Sequence, residues 1–354
     1  MTRRAKPAAS EYRFPAEWEP HAATFLAWPV NKADWPGKFE PIPWVFAEIV
    51  RGLAESEPVH LLIPSQAAKP KIADILERAG VNMRRVVFLP IALDRGWMRD
   101  CSPAFVTRGN RELAAIHFGF NAWAKYDNWH KDAKAAPFLT RHAKAAAIKA
   151  IHQNRHVVLE GGAIDGNGAG TLLTTEECLL DPKTQVRNPG FTRAEYETVF
   201  AEYLGIRKVI WLGKGVAGDD THGHVDDLCR FVNPTTVVLC SESNRKDANY
   251  RALAENHERL QGATTADGRK ISVVPLPMPA PVIFDGSRLP ASYANFYIAN
   301  DRILVPTFND PNDRIALGIL AELFPKREVV GIHAVDLVWG LGTLHCLTHE
   351  LPVR

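Results

Sequence analysis

Apolar positions along the chain fall into two alternating kinds of run. Stretches with apolar residues three and four apart, the spacing of one helix face, precede runs of three to six mostly apolar, often β-branched residues. Short runs of that kind read as buried strands. Trp44–Leu53 precedes Val59–Ile63, Ile72–Ala79 precedes Arg85–Leu89, and Phe138–Ile151 precedes Val157–Leu159. Arg193–Leu204 precedes Lys208–Leu212, Tyr250–Leu260 precedes Ile271–Leu276, and Arg314–Phe324 precedes Glu328–Ile332.

Further strand-like runs come in pairs around turn residues. Pro103–Thr107 and Leu113–Phe118 flank Gly109-Asn110, Val225–Val232 and Thr236–Cys240 flank Asn233-Pro234, and Asn295–Ala299 and Ile303–Pro306 flank Asn300-Asp301. These are hairpin signals. The predicted unit is strand, hairpin and helix, recurring about five times at roughly 60–70 residues each. Two architectures fit that order: a five-fold α/β toroid, with one end of every unit near a common axis, or an α/β sandwich without symmetry.

Composition narrows the class. The chain has 354 residues, 46% hydrophobic and 23% charged, an ordinary globular balance. Its 25 prolines and 24 glycines are scattered, so no linker stands out. Residues 1–12 read as a flexible tail and residues 13–354 as one compact domain. The 42 basic and 40 acidic residues interleave, which leaves no basic footprint for a nucleic acid. No run of 18 apolar residues predicts a membrane span, and the basic N-terminus lacks a secretory apolar stretch. Five irregularly spaced cysteines argue against a disulfide framework, so a reducing cytoplasm is expected.

Four segments place ionisable groups in apolar or Gly-rich surroundings: Gly96–Pro103, Val157–Gly162, Asp219–Asp227 and Gly340–Thr348. Their landmarks Asp100, Glu160, His224 and Cys346 are separated by 60, 64 and 122 residues, the last twice 61. Taken singly, each has a plain structural role. Glu160 before two glycines is a turn residue, His224 a hydrogen-bonded core residue, Cys346 a small buried hydrophobe, and Asp100 an ion-pair partner of Arg99. Recurrence at the period of the structural unit favours a shared site.

Cys with His is a nucleophile with a proton-transfer partner. Carboxylates such as Asp100 and Asp226 around a sulfur suit neither an ester nor an amide, whose developing oxyanion needs donors. They suit a cation, above all a planar guanidinium with its fork of N–H donors. That cation would also offset the carboxylates' upward push on the thiol pKa. The chemistry implied is attack of sulfur on a guanidinium carbon.

The segments as they stand resemble the agmatine deiminase family, which also holds the bacterial-type peptidylarginine deiminases, within the guanidino-group-modifying superfamily. The likeness runs through Pro15–His21, Ala27–Pro29, Trp97–Asp100, Gly119–Trp123, Leu159–Ala163, Leu172–Glu176, Asp219–Asp226, Asn295–Asn300 and His345-Cys346. The resemblance implies a five-bladed α/β propeller (pentein), which agrees with the toroid. It implies Cys346 as nucleophile, His224 as general acid and then base, and Asp100 and Asp226 as guanidinium clamps. Glu160 would orient His224 and stand open to a substrate contact. Trp97, Trp123, Asp220 and His222 join the expected substrate-binding set. A covalent thiouronium would form with loss of ammonia, and water would release a ureido product, with no metal or cofactor. Agmatine would give N-carbamoylputrescine.

Departures from the family pattern fall at His222, Leu341, Thr343 and His349. They bear on which distal group the substrate carries, so peptidylarginine or another small guanidino compound stands as the alternative. Two readings lie outside this class. His222-x-His224-x-Asp226 could ligate a metal if the three shared one strand face, or the chain could bind guanidino ligands without turning them over. The expected partner is a small guanidino substrate, with no nucleic acid or membrane; a homo-oligomer is compatible with the sequence.

Overall fold

The computed structural model describes residues 12–109 and 112–354. The fold is α/β. Among the described residues, five sheets have three or four strands and two ribbons have two. The larger sheets share a plan: an antiparallel pair, then a helix that returns the chain to add a parallel strand.

In the first, Ala104–Arg108 pairs with Glu112–His117, and Ala146–Lys149 follows in parallel after helix Ala135–His142. In the second, Asp165–Gly166 pairs with Thr171–Thr175, and Lys208–Leu212 follows helix Arg193–Leu204. The third joins Cys229–Asn233, Thr236–Ser241 and Ser272–Pro277 around helix Tyr250–Leu260. The fourth joins Tyr297–Ile298, Arg302–Thr307 and Glu328–His333 around Pro311–Leu323. The fifth pairs the last strand, Thr348–Pro352, with His21–Ala27 near the start, and adds Val59–Ile63 and Val86–Pro90. The parallel strands need crossovers, and the helices supply them.

The local signals are conventional. Helix Arg193–Leu204 begins with Thr192 and Glu195 capping each other's backbone, and ends on Gly205 at φ 68°, where a left-handed residue closes the turn. The expected strands Val59–Ile63 and Lys208–Leu212 form over those residues.

One unit differs from its sequence reading. The helix expected over Phe138–Ile151 stops at His142, Lys144 turns at φ 50°, and Ala146–Lys149 becomes the parallel strand. Val157–Leu159, expected to be that strand, contributes only a bridge from Val158 to Gly119. Alanine's helix preference is a weak prior, and pairing with Ala114–His117 overrides it. Tyr12, counted with the tail, pairs with Arg108 at a sheet edge. The rest of that tail and the hairpin tip at Asn110 lie outside the described residues.

Beneath the ends of these sheets, a buried charge cluster crosses between units. Arg230 is fully buried, its Nε bonded to Asp165 and its Nη2 2.9 Å from Glu17 Oε2. Its Nη1 donates to the Phe296 carbonyl at 2.9 Å. Removing such a cation deprives Asp165 of its ion-pair partner and Glu17 of one of three, at a cost of about 3–5 kcal/mol. Arg230→Met should therefore lower the urea midpoint by that much stability; a loss below about 1 kcal/mol would show the cluster to be dispensable.

Candidate active site

Each larger sheet is entered through one helical turn, and each turn delivers a polar side chain to one place. Met98–Cys101 carries Asp100, Gly161–Ala163 is capped by Glu160, and Val225–Asp227 is capped by His224 and contains Asp226. Tyr293–Asn295 carries Asn295, and Leu344–Leu347 carries Cys346. The turns contact one another in sequence, and the last returns to the first. The landmark period thus brings together residues distant in sequence.

Cys346 is buried. Its thiol lies 3.5 Å from Asp226 Oδ2, toward which the S–H donates, and accepts a hydrogen bond from Asn295 Nδ2 at 3.1 Å. Asn295 cannot turn its amide over. Its Oδ1 accepts from Thr343 Oγ1 at 2.8 Å, His345 N at 3.0 Å and Cys346 N at 3.4 Å, so the amide N–H is held on the sulfur. Asp226 Oδ2 also meets His345 Nδ1 at 2.7 Å, and His345 Nε2 meets Glu17 Oε2 at 2.8 Å.

His224 sits on the other side of Asp226, with Nδ1 3.9 Å from Asp226 Oδ1 and 4.0 Å from Asp100 Oδ1. Its Nε2 is 3.8 Å from Glu160 Oε2. Cys346 and His224 therefore share one carboxylate. Both ring nitrogens of His224, and Asp226 Oδ1, are buried without a hydrogen bond among the described residues, an arrangement that calls for an explanation in a native core. Gly162 makes the gathering feasible: a Cβ there would stand 2.5 Å from His224 Nδ1 and 3.0 Å from Asp100 Oδ1. Its own N–H donates to Asp100 Oδ1 at 2.9 Å, and the Trp123 indole donates to Oδ2 at 2.9 Å.

Charge balance sets the protonation states. Burial pushes the Asp100 carboxyl up, His224 pulls it down, and Asp226 and Glu160 push it up again, leaving it at about 6. Burial would also raise Glu160, but Arg187 and then His224 outweigh it and hold the carboxyl at about 2. Burial opposes the charged form of His224, yet Asp100 and Glu160 lift its pKa well above the usual imidazole range. The Cys346 thiol is pushed well up by burial and then by Asp226, Asp227 and Asp100, with Asn295 opposing. These directions favour the thiol over the thiolate at Cys346 and the imidazolium over the imidazole at His224.

A cleft of about 680 Å³ opens over Cys346 and Asp100, walled by Trp97, Trp123, Tyr126, Asp220 and Leu341 among others. Trp97 stacks on Trp35, with centroids 5.8 Å apart. Trp123 lies in a run of three left-handed residues, Ala122 to Ala124 at φ 50°, 59° and 53°, a costly conformation for non-glycine residues that sets its indole on Asp100. Asp220 reaches the cleft, but its oxygens are taken by the Lys125 ammonium and, at 2.6 Å, the Tyr126 hydroxyl.

Two expectations need correction. His222 does not face the cleft. It turns at φ 65°, bonds Asp181 Oδ2 through Nε2 at 2.9 Å, and lines a separate depression with Glu177 and Lys214. Residues 219–224 form turns, not a strand, so His222, His224 and Asp226 do not share a face and the proposed ligand triad does not assemble. Glu160, like His224 and Asp226, is not among the residues that wall the cleft; Arg187 Nε lies 3.2 and 3.3 Å from its two oxygens. Two buried groups do have ligand-like spacing: Glu160 with Cys178 and His224, and Asp226 with Asp227 and Cys346. Sequence reasoning passed over Arg187, His345, Asp227, Cys178 and the role of Asn295. Only Asn295 had a signal, the doubled spacing between His224 and Cys346, which marks a skipped unit.

Residues 13–352 match the model of the Porphyromonas-type peptidyl-arginine deiminase family, and the chain belongs to that family. It is an enzyme of the class that hydrolyses guanidino C–N bonds. It is 34% identical to an agmatine deiminase of Pseudomonas aeruginosa over 98% of this chain and 97% of that one. The solved agmatine deiminase of Enterococcus faecalis superposes with a TM-score of 0.90 at 28% identity, covering 98% of each chain. That of C. jejuni superposes at 0.83 and 28% identity over 96% of each.

Two outcomes follow from this geometry. Asn295→Asp keeps the acceptor oxygen but loses the N–H on sulfur and adds a negative charge. Alkylation of Cys346 by iodoacetamide should shift to higher pH, and turnover should fall ~10²-fold. A carboxyl near 6 at Asp100 is ionised above that pH, so kcat/KM should fall as pH drops through about 6, since that ratio reports free-enzyme groups. Unchanged kcat/KM down to pH 5 would remove Asp100 from substrate binding.

Proposed function

We propose that the chain deiminates a small free guanidino compound through a thiouronium intermediate on Cys346, in a five-bladed α/β propeller whose blades meet at the site. The gathering of Cys346, His224, Asp226 and Asp100, with three buried polar atoms left unbonded, carries this reading. A guanidinium brings a fork of N–H donors and a delocalised charge, the complement of those carboxylates.

Binding the cation between Asp100 and Asp226 offsets the anions that keep the thiol protonated and so favours the thiolate, the thiol proton being released to bulk solvent as the cation enters. The sulfur attacks the guanidinium carbon, forming an S–C bond. The C–N bond breaks as His224 delivers its proton to departing ammonia. Glu160, held by Arg187, keeps the imidazolium in place. His224, now neutral, takes a proton from water as its oxygen attacks the same carbon; the S–C bond breaks, and a ureido product and the thiol result. Asn295 stabilises the sulfur's negative charge at both stages.

The named relatives make agmatine the reference substrate, which would give N-carbamoylputrescine and ammonia. No helix among the described residues is long and apolar enough to cross a membrane. Five buried free cysteines fit a reducing cytoplasm.

Incubation with a panel of guanidino compounds should yield ammonia and ureido product in equal amounts. Acid-quenched enzyme should carry a covalent adduct on Cys346. Cys346→Ala should abolish both, at least 10⁴-fold; ammonia release by that variant would end the nucleophile assignment.

A further inference from the structure

Beyond its catalytic floor, the cleft carries charged groups at its rim: Asp34, Arg95 and Asp220 in the wall, with Lys125 behind Asp220. Both rim carboxylates are engaged. Asp34 Oδ1 accepts from Arg95 Nη1 at 2.5 Å and from Asn31 Nδ2 at 2.9 Å. Its Oδ2 is shut off from solvent, beside Trp97. Asp220 is occupied on both oxygens by Lys125 and Tyr126.

Arg95 is different. Its Nη1 serves Asp34, its Nε donates to Asn128 Oδ1 at 3.0 Å, and its guanidinium lies over the Tyr126 ring at 3.8 Å. Nη2 makes no hydrogen bond among the described residues, in a side chain only 12% exposed. The backbone is fixed too: Asp132 accepts from the N–H groups of Asp94, Arg95 and Gly96 at 2.8, 3.0 and 3.4 Å. The rim therefore offers a preorganised donor and no solvent-accessible unpaired carboxylate oxygen: Asp34 Oδ2 lacks a hydrogen bond but is buried. An ammonium can only donate; it finds no carboxylate oxygen open to it and meets a cation instead. A carboxylate finds a charge-assisted partner whose ordering cost is already met. Lys125 screens Asp220, so the repulsion an incoming anion would meet there is reduced.

We propose that Arg95 reads the end of the substrate remote from the guanidinium, and that this end is a carboxylate: the chain takes an ω-guanidino acid in preference to the guanidino amine agmatine. This rests on the deiminase reading of the same site and names its substrate class. The guanidinium still docks on Asp100 and Asp226, and specificity is decided at the rim.

Calorimetry on the Cys346→Ala protein separates the two questions, because binding needs no turnover. 4-Guanidinobutyrate should bind at least ~10-fold more tightly than agmatine, with butylguanidine between them. Arg95→Gln should shrink the acid-to-amine ratio at least ~5-fold, and in the otherwise wild-type enzyme should act on the KM for the acid more than on kcat. Agmatine binding as well as or better than the acid would overturn the proposal, as would an unchanged ratio in a folded Arg95→Gln protein. Should that variant fail to fold, the ranking of the three ligands on Cys346→Ala decides alone. Absence of ureido product from every guanidine with the wild-type enzyme would defeat the deiminase reading, while the ranking would still judge Arg95.

Discussion

The site depends on one buried carboxylate that no reaction step uses. Glu17 accepts from Arg230 at 2.9 Å, Arg99 at 3.3 Å, His345 at 2.8 Å and the Ile298 backbone at 2.7 Å. Those partners belong to the third, first, fifth and fourth sheets, and Arg230 extends the link to Asp165 of the second. Burial acts to raise the Glu17 carboxyl, but Arg230 and His345 outweigh it and hold its pKa well below the usual range. A buried anion of this kind is tolerable only with its partners in place. Glu17 thus ties the entry turns together where they must agree most closely, and through His345 it also fixes the Asp226 carboxylate that faces the sulfur.

The same economy favours the thiol form of Cys346, the proposed nucleophile. Positive groups stand behind the carboxylates: Arg187 behind Glu160, His345 behind Asp226, Arg230 and Arg99 around Glu17. The sulfur's hydrogen-bond partners among the described residues are instead Asn295 and Asp226. The field on Cys346 is therefore anionic until a cation enters from the cleft. Reactivity becomes conditional on the substrate, which protects a buried thiol from adventitious chemistry. Gly162 belongs to this design, since any side chain there would occupy the space among His224, Asp100 and Asp226.

How much of this was legible follows from the same geometry. Strands and crossover helices were readable where apolar period and capping agreed, as at Arg193–Leu204. They were misread at Ala143–Lys149, where local helix preference and sheet pairing disagree. Asp100, Glu160, His224 and Cys346 were legible because repetition of a unit repeats the position of its entry turn. His222 stays out of the cleft because its segment is a tight turn, which also removes the strand face on which His222, His224 and Asp226 would align. Arg187 comes from an irregular loop with no period, so nothing in the chain announced that its guanidinium would reach Glu160.

That division extends to the chemistry. The residues proposed to carry the reaction sit on the entry turns, where each is held by neighbours from adjacent units and a substitution disturbs several sheets at once. Rim residues such as Arg95, Tyr126 and Asp220 sit on connections between the sheets and not on the entry turns. Reaction class and substrate choice are thus written in physically separate parts of the chain. A resemblance carried by the turns speaks strongly to guanidinium chemistry and only weakly to the distal group. The proposal for the rim addresses that second question from charge: Asp220 is engaged on both oxygens, Asp34 on one with the other buried, and Arg95 is left with a donor to spare.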